Sequence, residues 1–345
     1  MRWWVGGLAL VPVALVLELL HAPPLAVLLA AAAALVPLAA LLGRATEEVA
    51  AHTGPLVGGL LNSTLGNAAE LIIALAALRA GLHELVKASI SGSILGNLLL
   101  ILGASLLVGG LRHGVQHFDA QLAGISATMM TLAVVLLLVP GLFTLGPTPV
   151  HGDAVEWMSI GLAVVLAVIY GLYLLFTLRR SGPVPEHAHV PASWPLRRGI
   201  LLLVLATLGV VVMSEVLVGA VEPVVEATGI SEFFLGVILV PLVGNVAEHF
   251  VAVQVAGRNQ MDLSLGIAYG SSLQVALVVT PVLIFASLLT SEPMSLVFNV
   301  YELVALLGAA LVSTLIAVDG RSHWLEGAML LAVYAGLGVG FFFLP

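Results

Sequence analysis

The sequence predicts an all-α, polytopic membrane protein of about eleven transmembrane helices, arranged as two inverted five-helix repeats plus one extra N-terminal helix. Three observations predict it. The 345 residues are 61% hydrophobic and only 9% charged, which leaves too few charged side chains to cover a soluble globule. The apolar residues gather into runs of about 20 residues, long enough to cross a bilayer as helices. A short motif with a carboxylate inside an apolar run then recurs at a fixed spacing, as LGNAAELIIA at Leu65–Ala74 and LVGNVAEHFVAV at Leu242–Val253.

In chain order the apolar runs fall near residues 3–20, 22–43, 54–80, 85–111, 119–143, 150–178, 199–222, 230–257, 262–289, 294–318 and 323–345. The first reads as a retained helix rather than a signal peptide. Its basic flank is Arg2 alone, and no clear small-x-small cleavage site precedes His21. The longest polar stretch, RRSGPVPEHAHVPASWPLRR from Arg179 to Arg198, is bracketed by arginine pairs and broken by four prolines, as a linker between halves is. Four segments follow: an extra N-terminal helix over 1–21, a first five-helix repeat over 22–178, the linker over 179–198, and a second five-helix repeat over 199–345.

Orientation comes from the basic residues. With the N-terminus in the cytoplasm, Arg2, Arg44, Arg112, Arg179, Arg180, Arg197, Arg198, Arg258 and Arg321 lie inside, and only Arg79 and Lys87 lie outside. That asymmetry places the linker in the cytoplasm and the C-terminus outside. A multi-pass protein of the cell membrane is expected, and the use of Arg in ten of eleven basic positions points to a GC-rich prokaryote.

The repeat is more than one shared motif. Glu248 follows Glu70 by 178 residues, and the same offset carries Gly92 and Ser93 onto Gly270 and Ser271 without a gap. It also carries Leu61, Ala74 and Leu85 onto Leu239, Ala252 and Leu263. Because five spans is an odd number, the halves enter the membrane in opposite directions. In such inverted repeats, substrate and coupling ion bind near the midplane where the halves meet.

Glu70 and Glu248 sit near the middle of the second span of each half. An ionised Asp at the centre of a bilayer helix costs roughly 2.5–3.5 kcal/mol, and Glu is comparable. A pseudo-two-fold would bring the two carboxylates together, where they need protons or a cation. Asn67 and Asn245 offer carbonyl oxygens one turn away. Gly66 and Gly244 permit backbone departures that expose main-chain carbonyls, and Pro241 is expected to kink the second motif where Ser63 and Thr64 stand in the first. Oxygen-only ligation suits Ca²⁺, which takes about six to eight oxygens, better than metals that prefer nitrogen or sulfur.

GNAAELI and GNVAEH, in matching helices of two inverted halves, resemble the paired signature of the calcium/proton exchangers, a branch of the calcium/cation antiporter superfamily. The resemblance covers about residues 22–345. It implies export of Ca²⁺ against an inward flow of protons, with Glu70 and Glu248 as shared ion-binding carboxylates supported by Asn67 and Asn245. Ser93, Ser271 and Gln274 match the family's polar flank of the site. The sodium-coupled relatives carry a GTSxPE-like pattern where this chain has GNxxE, which favours protons over sodium. A sodium/calcium exchanger or a monovalent cation/proton antiporter on the same scaffold is the runner-up. The acidic stretch that some members carry in the central loop is reduced here to Glu186 with His187 and His189.

Other readings of the same residues stand beside these. An intramembrane Glu or Asn also serves to hydrogen-bond a neighbouring helix. Ser89, Gly92, Ser93 and Gly96 form small-xxx-small patterns that suit close helix packing as well as ion contact. His249, about 100° round the helix from Glu248, is either a proton relay that tunes the carboxylate or a satisfied core histidine. Glu302, with Asn299 one turn before it, and Glu18 and Glu215 lie in outer parts of their spans, where they line an outer vestibule or are simply solvated. Glu222, Glu226, Glu232 and Glu292 are either cation-attracting or ordinary solvated ends.

Several classes are excluded. With no cysteine, disulfides, thiolate metal sites and cysteine nucleophiles are impossible. A net charge of −8 argues against a nucleic-acid partner. Intramembrane proteases need a GxSG serine, a GxGD aspartate or an HExxH helix. HELVK at His83 lacks the second His and SGS at Ser91 lacks the GxSG frame. No cofactor is expected; the ions implied are transported, and the remaining partner is the lipid bilayer.

Overall fold

A computed structural model describes residues 3–53, 58, 61, 64–146, 149–180 and 192–344. They are almost wholly helical. The helices are α1 (Trp3–Gly7), α2 (Leu10–Leu19), α3 (Pro24–Ala50), α4 (Ala68–Arg79), α5 (His83–Leu95), α6 (Leu102–His113), α7 (Ala120–Leu145), α8 (Asp153–Arg180) and α9 (Leu196–Gly219). There follow α10 (Val221–Thr228), α11 (Glu232–Phe234), α12 (Val240–Gly244), α13 (Val246–Ala256), α14 (Met261–Gln274), α15 (Thr280–Ser287), α16 (Val300–Ala317) and α17 (Trp324–Phe342). The exception to an all-α chain is a two-residue antiparallel ladder, β1 (Gln116–His117) with β2 (Arg321–Ser322), in the register Gln116↔Ser322.

By length and composition, eight helical segments among the described residues can cross a membrane, with α5–α6, α9–α10 and α14–α15 each counted as one, or nine if the bent pair Glu232–Gly244 and Val246–Ala256 is one span. The first expected span is not one of them. It breaks at Leu8–Ala9 into two short helices, and the apolar stretch across them, Val5–Leu19, falls short of a full crossing. The third expected span is described continuously only from Thr64 onward, and Ser63 lies outside the described residues, as do residues 181–191 of the linker with Glu186, His187 and His189. The tenth begins at Val300 rather than near 294, because Asn299 starts the helix with a capping box.

Each α5–α6 and α14–α15 rod contains a π-helical turn where the backbone takes one extra residue, at Gly96–Ile101 and Val275–Val279. Helix starts recur at the spacing of the motif, Ala68 with Val246 and His83 with Met261. A third π turn, Leu235–Leu239, precedes Pro241. Proline has no N–H for the carbonyl four residues back, Val237, and the wider turn accommodates the loss. The chain bends not at Pro241 but three residues later, by 63° at Gly244–Asn245.

Helices that precede and follow the 179–198 stretch pack against each other: α3 packs along α9, α6 along α17, α7 along α16, and α5 against the Leu235–Leu239 turn. Exposed Leu, Val and Phe side chains concentrate on α7, α8, α9 and α16, the surface a bilayer would cover. At one end of α3, Glu48, only 4% exposed, accepts from Ser193 N at 2.7 Å, Trp194 N at 2.9 Å and Arg44 at 2.6 Å, and from the Ser193 hydroxyl. Those bonds fasten the described end of the linker to α3. Arg44 and Arg198 also lie over the Trp194 ring, 5.9 and 5.2 Å from its centroid.

Candidate ion-binding site

Asn67 and Asn245 stand at the N-caps of α4 and α13 with closely similar backbones, φ −95°, ψ 25° and φ −104°, ψ 6°. Each is followed by a carboxylate at the third helical position, Glu70 or Glu248. Asn-x-x-Glu is the spacing of a capping box, in which the Asn side chain binds backbone at its own helix start. Asn299 and Glu302 do this: Asn299 Oδ1 accepts from Glu302 N and Glu302 Oε2 accepts from Asn299 N, both at 2.9 Å. Neither Asn67 nor Asn245 makes a side-chain cap bond. Their amides reach into the other half instead.

Asn245 Nδ2 donates to Glu70 Oε1, which also accepts from the Ser93 hydroxyl. Asn67 Nδ2 donates to Gln274 Oε1 at 2.9 Å, and Asn67 Oδ1 accepts from the Ser271 hydroxyl at 3.1 Å. Both carboxylates occupy the first turn of a helix, where the backbone dipole favours negative charge. Glu70 is 5% exposed, and its Oε2 has no hydrogen-bond partner among the described residues; the same is true of Glu248 Oε2. A buried carboxylate oxygen without a donor is costly, and a proton or a cation removes the cost.

A cavity of about 520 Å³ reaches this cluster. Glu248, Gly66, Gly244, Gly270, Ser271 and Gln274 line its inner end, and Arg44 and Glu47 its mouth. Glu70, Asn67, Asn245 and Ser93 do not line it; they lie behind. Gly244 is needed there for space rather than for an unusual φ: a Cβ at this position would stand 2.6 Å from Glu70 Cγ.

The structure therefore gathers Glu70, Glu248, Asn67, Asn245, Gly66, Gly244, Ser93, Ser271 and Gln274 into one place. His249 is apart. Its ring is buried, it does not line the cavity, and its Nε2 has no partner among the described residues. Glu302 is neither solvated nor in a vestibule: it is 2% exposed, closes its capping box and accepts from Ser91 Oγ at 2.6 Å. Glu215 is exposed and pairs with Arg79 at 3.3 Å, and Glu18 is exposed. One member of the cluster was not singled out in the sequence. Asn97, one helical turn after Ser93, donates its amide to Ser271 Oγ at 3.0 Å. Its signal was the second GN pair of the chain, in ISGSILGN.

Among the described residues no three His, Cys, Asp or Glu side chains converge. A cation held here must complete its shell from amide, hydroxyl and main-chain oxygens, a donor set that suits hard cations.

Comparison with known proteins adds the following. The protein-family model described as "Sodium/calcium exchanger protein" matches residues 23–179 and again 198–343. The Ca(2+)/H(+) antiporter of Aphanothece halophytica is 43% identical, over 99% of this chain and 96% of its own. The Ca(2+)/H(+) antiporter of a Synechocystis strain is 44% identical, over 92% of this chain and 91% of its own. Among solved structures, native YfkE superposes with a TM-score of 0.87 at 38% identity, covering both chains completely.

Proposed function

Because the chain belongs to the sodium/calcium exchanger protein family and matches Ca²⁺/H⁺ antiporters over nearly its full length, we propose that it exchanges Ca²⁺ for protons across a membrane by alternating access. The observation that carries the site assignment is the pair of buried, donorless carboxylate oxygens on Glu70 and Glu248, each on a broken helix of a different half. Glu70 and Glu248 hold either Ca²⁺ or protons. Asn67, Asn245, Ser93, Ser271 and Gln274 supply or orient neutral oxygens, and Gly66 and Gly244 leave room for the carboxylates and the ion. An empty, doubly charged site would bury repelling charges on closure, so only loaded forms cross readily, which makes exchange obligatory.

The halves, residues 22–178 and 199–345, are inverted repeats on this reading, and the full chain crosses about eleven times. The separate family matches to each half and the recurrence of helix starts and π turns support it. The bias of nine basic residues against two supports a cytoplasmic position for the cavity end lined by Arg44. The arrangement described is then open inward. Single cysteines in this cysteine-free chain test the orientation: with an impermeant thiol reagent on intact cells, a cysteine at Phe343 is labelled and one at Pro185 is not. Labelling at Pro185 without permeabilisation overturns it.

Coupling is tested by flux. In proteoliposomes, Ca²⁺ uptake follows an imposed proton gradient, acid inside, and alkalinises the lumen as protons leave. A sodium gradient alone drives little. Uptake that follows sodium and ignores pH moves the chain to the sodium/calcium reading.

A further inference from the structure

We propose that Glu48 is a positioning residue for cation entry: with the end of the linker it holds the Arg44 guanidinium to one wall of the cavity and keeps that charge out of the path a cation takes to Glu248. The inference rests on the exchange reading above. A cation that reaches Glu248 through the cavity passes the end lined by Arg44 and Glu47. An arginine free to swing there would repel a divalent ion, since its charge is permanent and its side chain long.

The structure fastens that charge on the linker side. Arg44 Nη2 donates to Glu48 Oε1 at 2.6 Å and to Ser193 Oγ at 3.0 Å, and the guanidinium lies 5.9 Å from the centroid of the Trp194 ring. Glu48 is held in turn. Its Oε2 accepts from Ser193 N at 2.7 Å and Trp194 N at 2.9 Å, and its Oε1 also accepts from the Ser193 hydroxyl. With both oxygens engaged and the side chain buried, the carboxylate offers the guanidinium one fixed, charge-assisted partner. Glu47 is the other acidic neighbour, its Oε2 3.6 Å from Arg44 Nη1. Its side chain is 62% exposed against 4% for Glu48. One positive and two negative charges leave this end of the cavity net negative, with Glu47 as the carboxylate that meets an incoming cation.

The test is the initial rate of ⁴⁵Ca²⁺ uptake into everted membrane vesicles, whose outer face is cytoplasmic, measured as KM and Vmax. Glu48→Gln frees Arg44 and raises KM for Ca²⁺ about fivefold, the size expected of one unit charge acting on a divalent ion across about 8 Å of water. Vmax stays within about twofold of the parent. In about 1 M choline chloride, where the screening length falls to about 3 Å, the difference in KM disappears. Adding Arg44→Gln to Glu48→Gln returns KM to the parent value or below. Because Glu48→Gln also loosens the end of the linker, Arg44→Lys is the second variant. It keeps every charge and leaves Glu48 bonded to Ser193 and Trp194, but an ammonium cannot span Glu48, Ser193 and the ring at once, and KM rises about threefold in a salt-sensitive way. If net charge alone matters, Arg44→Lys keeps the parent KM, and the proposal is overturned. A fall in Vmax at constant KM, a rise in KM that persists in salt, or no restoration by Arg44→Gln overturns it equally. Failure of the exchange reading looks different: vesicles of the parent chain then show no proton-driven Ca²⁺ uptake at all.

Discussion

Glu70→Gln and Glu248→Gln each abolish Ca²⁺ uptake and the proton flux coupled to it, lowering both by about a hundredfold or more while the protein still inserts and folds. One remaining carboxylate cannot neutralise a divalent ion, and an amide cannot take up the counter-transported proton. Folding survives for a reason visible in the site. Glu70 uses a single oxygen, Oε1, to accept from both Ser93 and Asn245, and a glutamine keeps a carbonyl oxygen there. Removing a buried charge also relieves the desolvation cost rather than adding to it. The double variant is no worse than either single, since residues that act as one unit are not additive. Glu302→Gln is the control. It weakens the bonds from Asn299 N and Ser91 Oγ, at about 1–3 kcal/mol of stability, and leaves most of the exchange activity, because that carboxylate is not part of the cluster around Glu70 and Glu248. Well-folded Glu70→Gln and Glu248→Gln proteins that exchange Ca²⁺ for protons near the parent rate would end the assignment.

The three Asn-x-x-Glu stretches mark how far the sequence could be read. Apolar run length and the 178-residue spacing were enough to expect a nearly all-helical chain with many membrane-length helices and to single out Glu70 and Glu248, but not to place the first and tenth spans. Spacing alone did not separate those two from Glu302, because a capping box and a split ion site use the same residue types at the same interval. What separates them is where the asparagine amide goes, into its own helix at Asn299 and across the halves at Asn67 and Asn245. That is a tertiary fact. The flanking glycines hint at it, since Gly66 and Gly244 precede the two site asparagines whereas Phe298 precedes Asn299.

Two further features had no readable local signal. The π turns arise where side chains from both halves must meet, so helix propensity does not report them. A cavity lined by Glu248 and not by Glu70 cannot follow from a repeat, because a repeat read from sequence treats both halves alike. Inequality between the halves resides in particular positions that the repeat does not preserve, and in which helix crossings are closed in the state described.

Gly92→Val gives the largest expected loss of the folded protein itself, and Gly270, its counterpart in the second half, is the comparison that makes the result interpretable. A Cβ at Gly92 would collide with the O, C and Cα atoms of Val237, all backbone, which cannot rotate aside as a side chain can. Val237 lies in the π turn four residues before Pro241, where the missing N–H leaves its carbonyl free to lie against α5. The absence of a side chain at Gly92 lets α5 settle on that backbone, and the next residue, Ser93, thereby reaches Glu70. A valine forces the two halves apart at this crossing, at a cost of about 3 kcal/mol or more. At Gly270 a Cβ meets nothing within 4 Å and faces the cavity. Gly92→Val is therefore expected to lose its monodisperse peak in detergent size exclusion, or to unfold many degrees below the parent, with Gly92→Ala between them. Gly270→Val keeps the parent's peak and melting temperature. Equal stability of the two valine variants would mean that the α5 crossing is not the close backbone contact described.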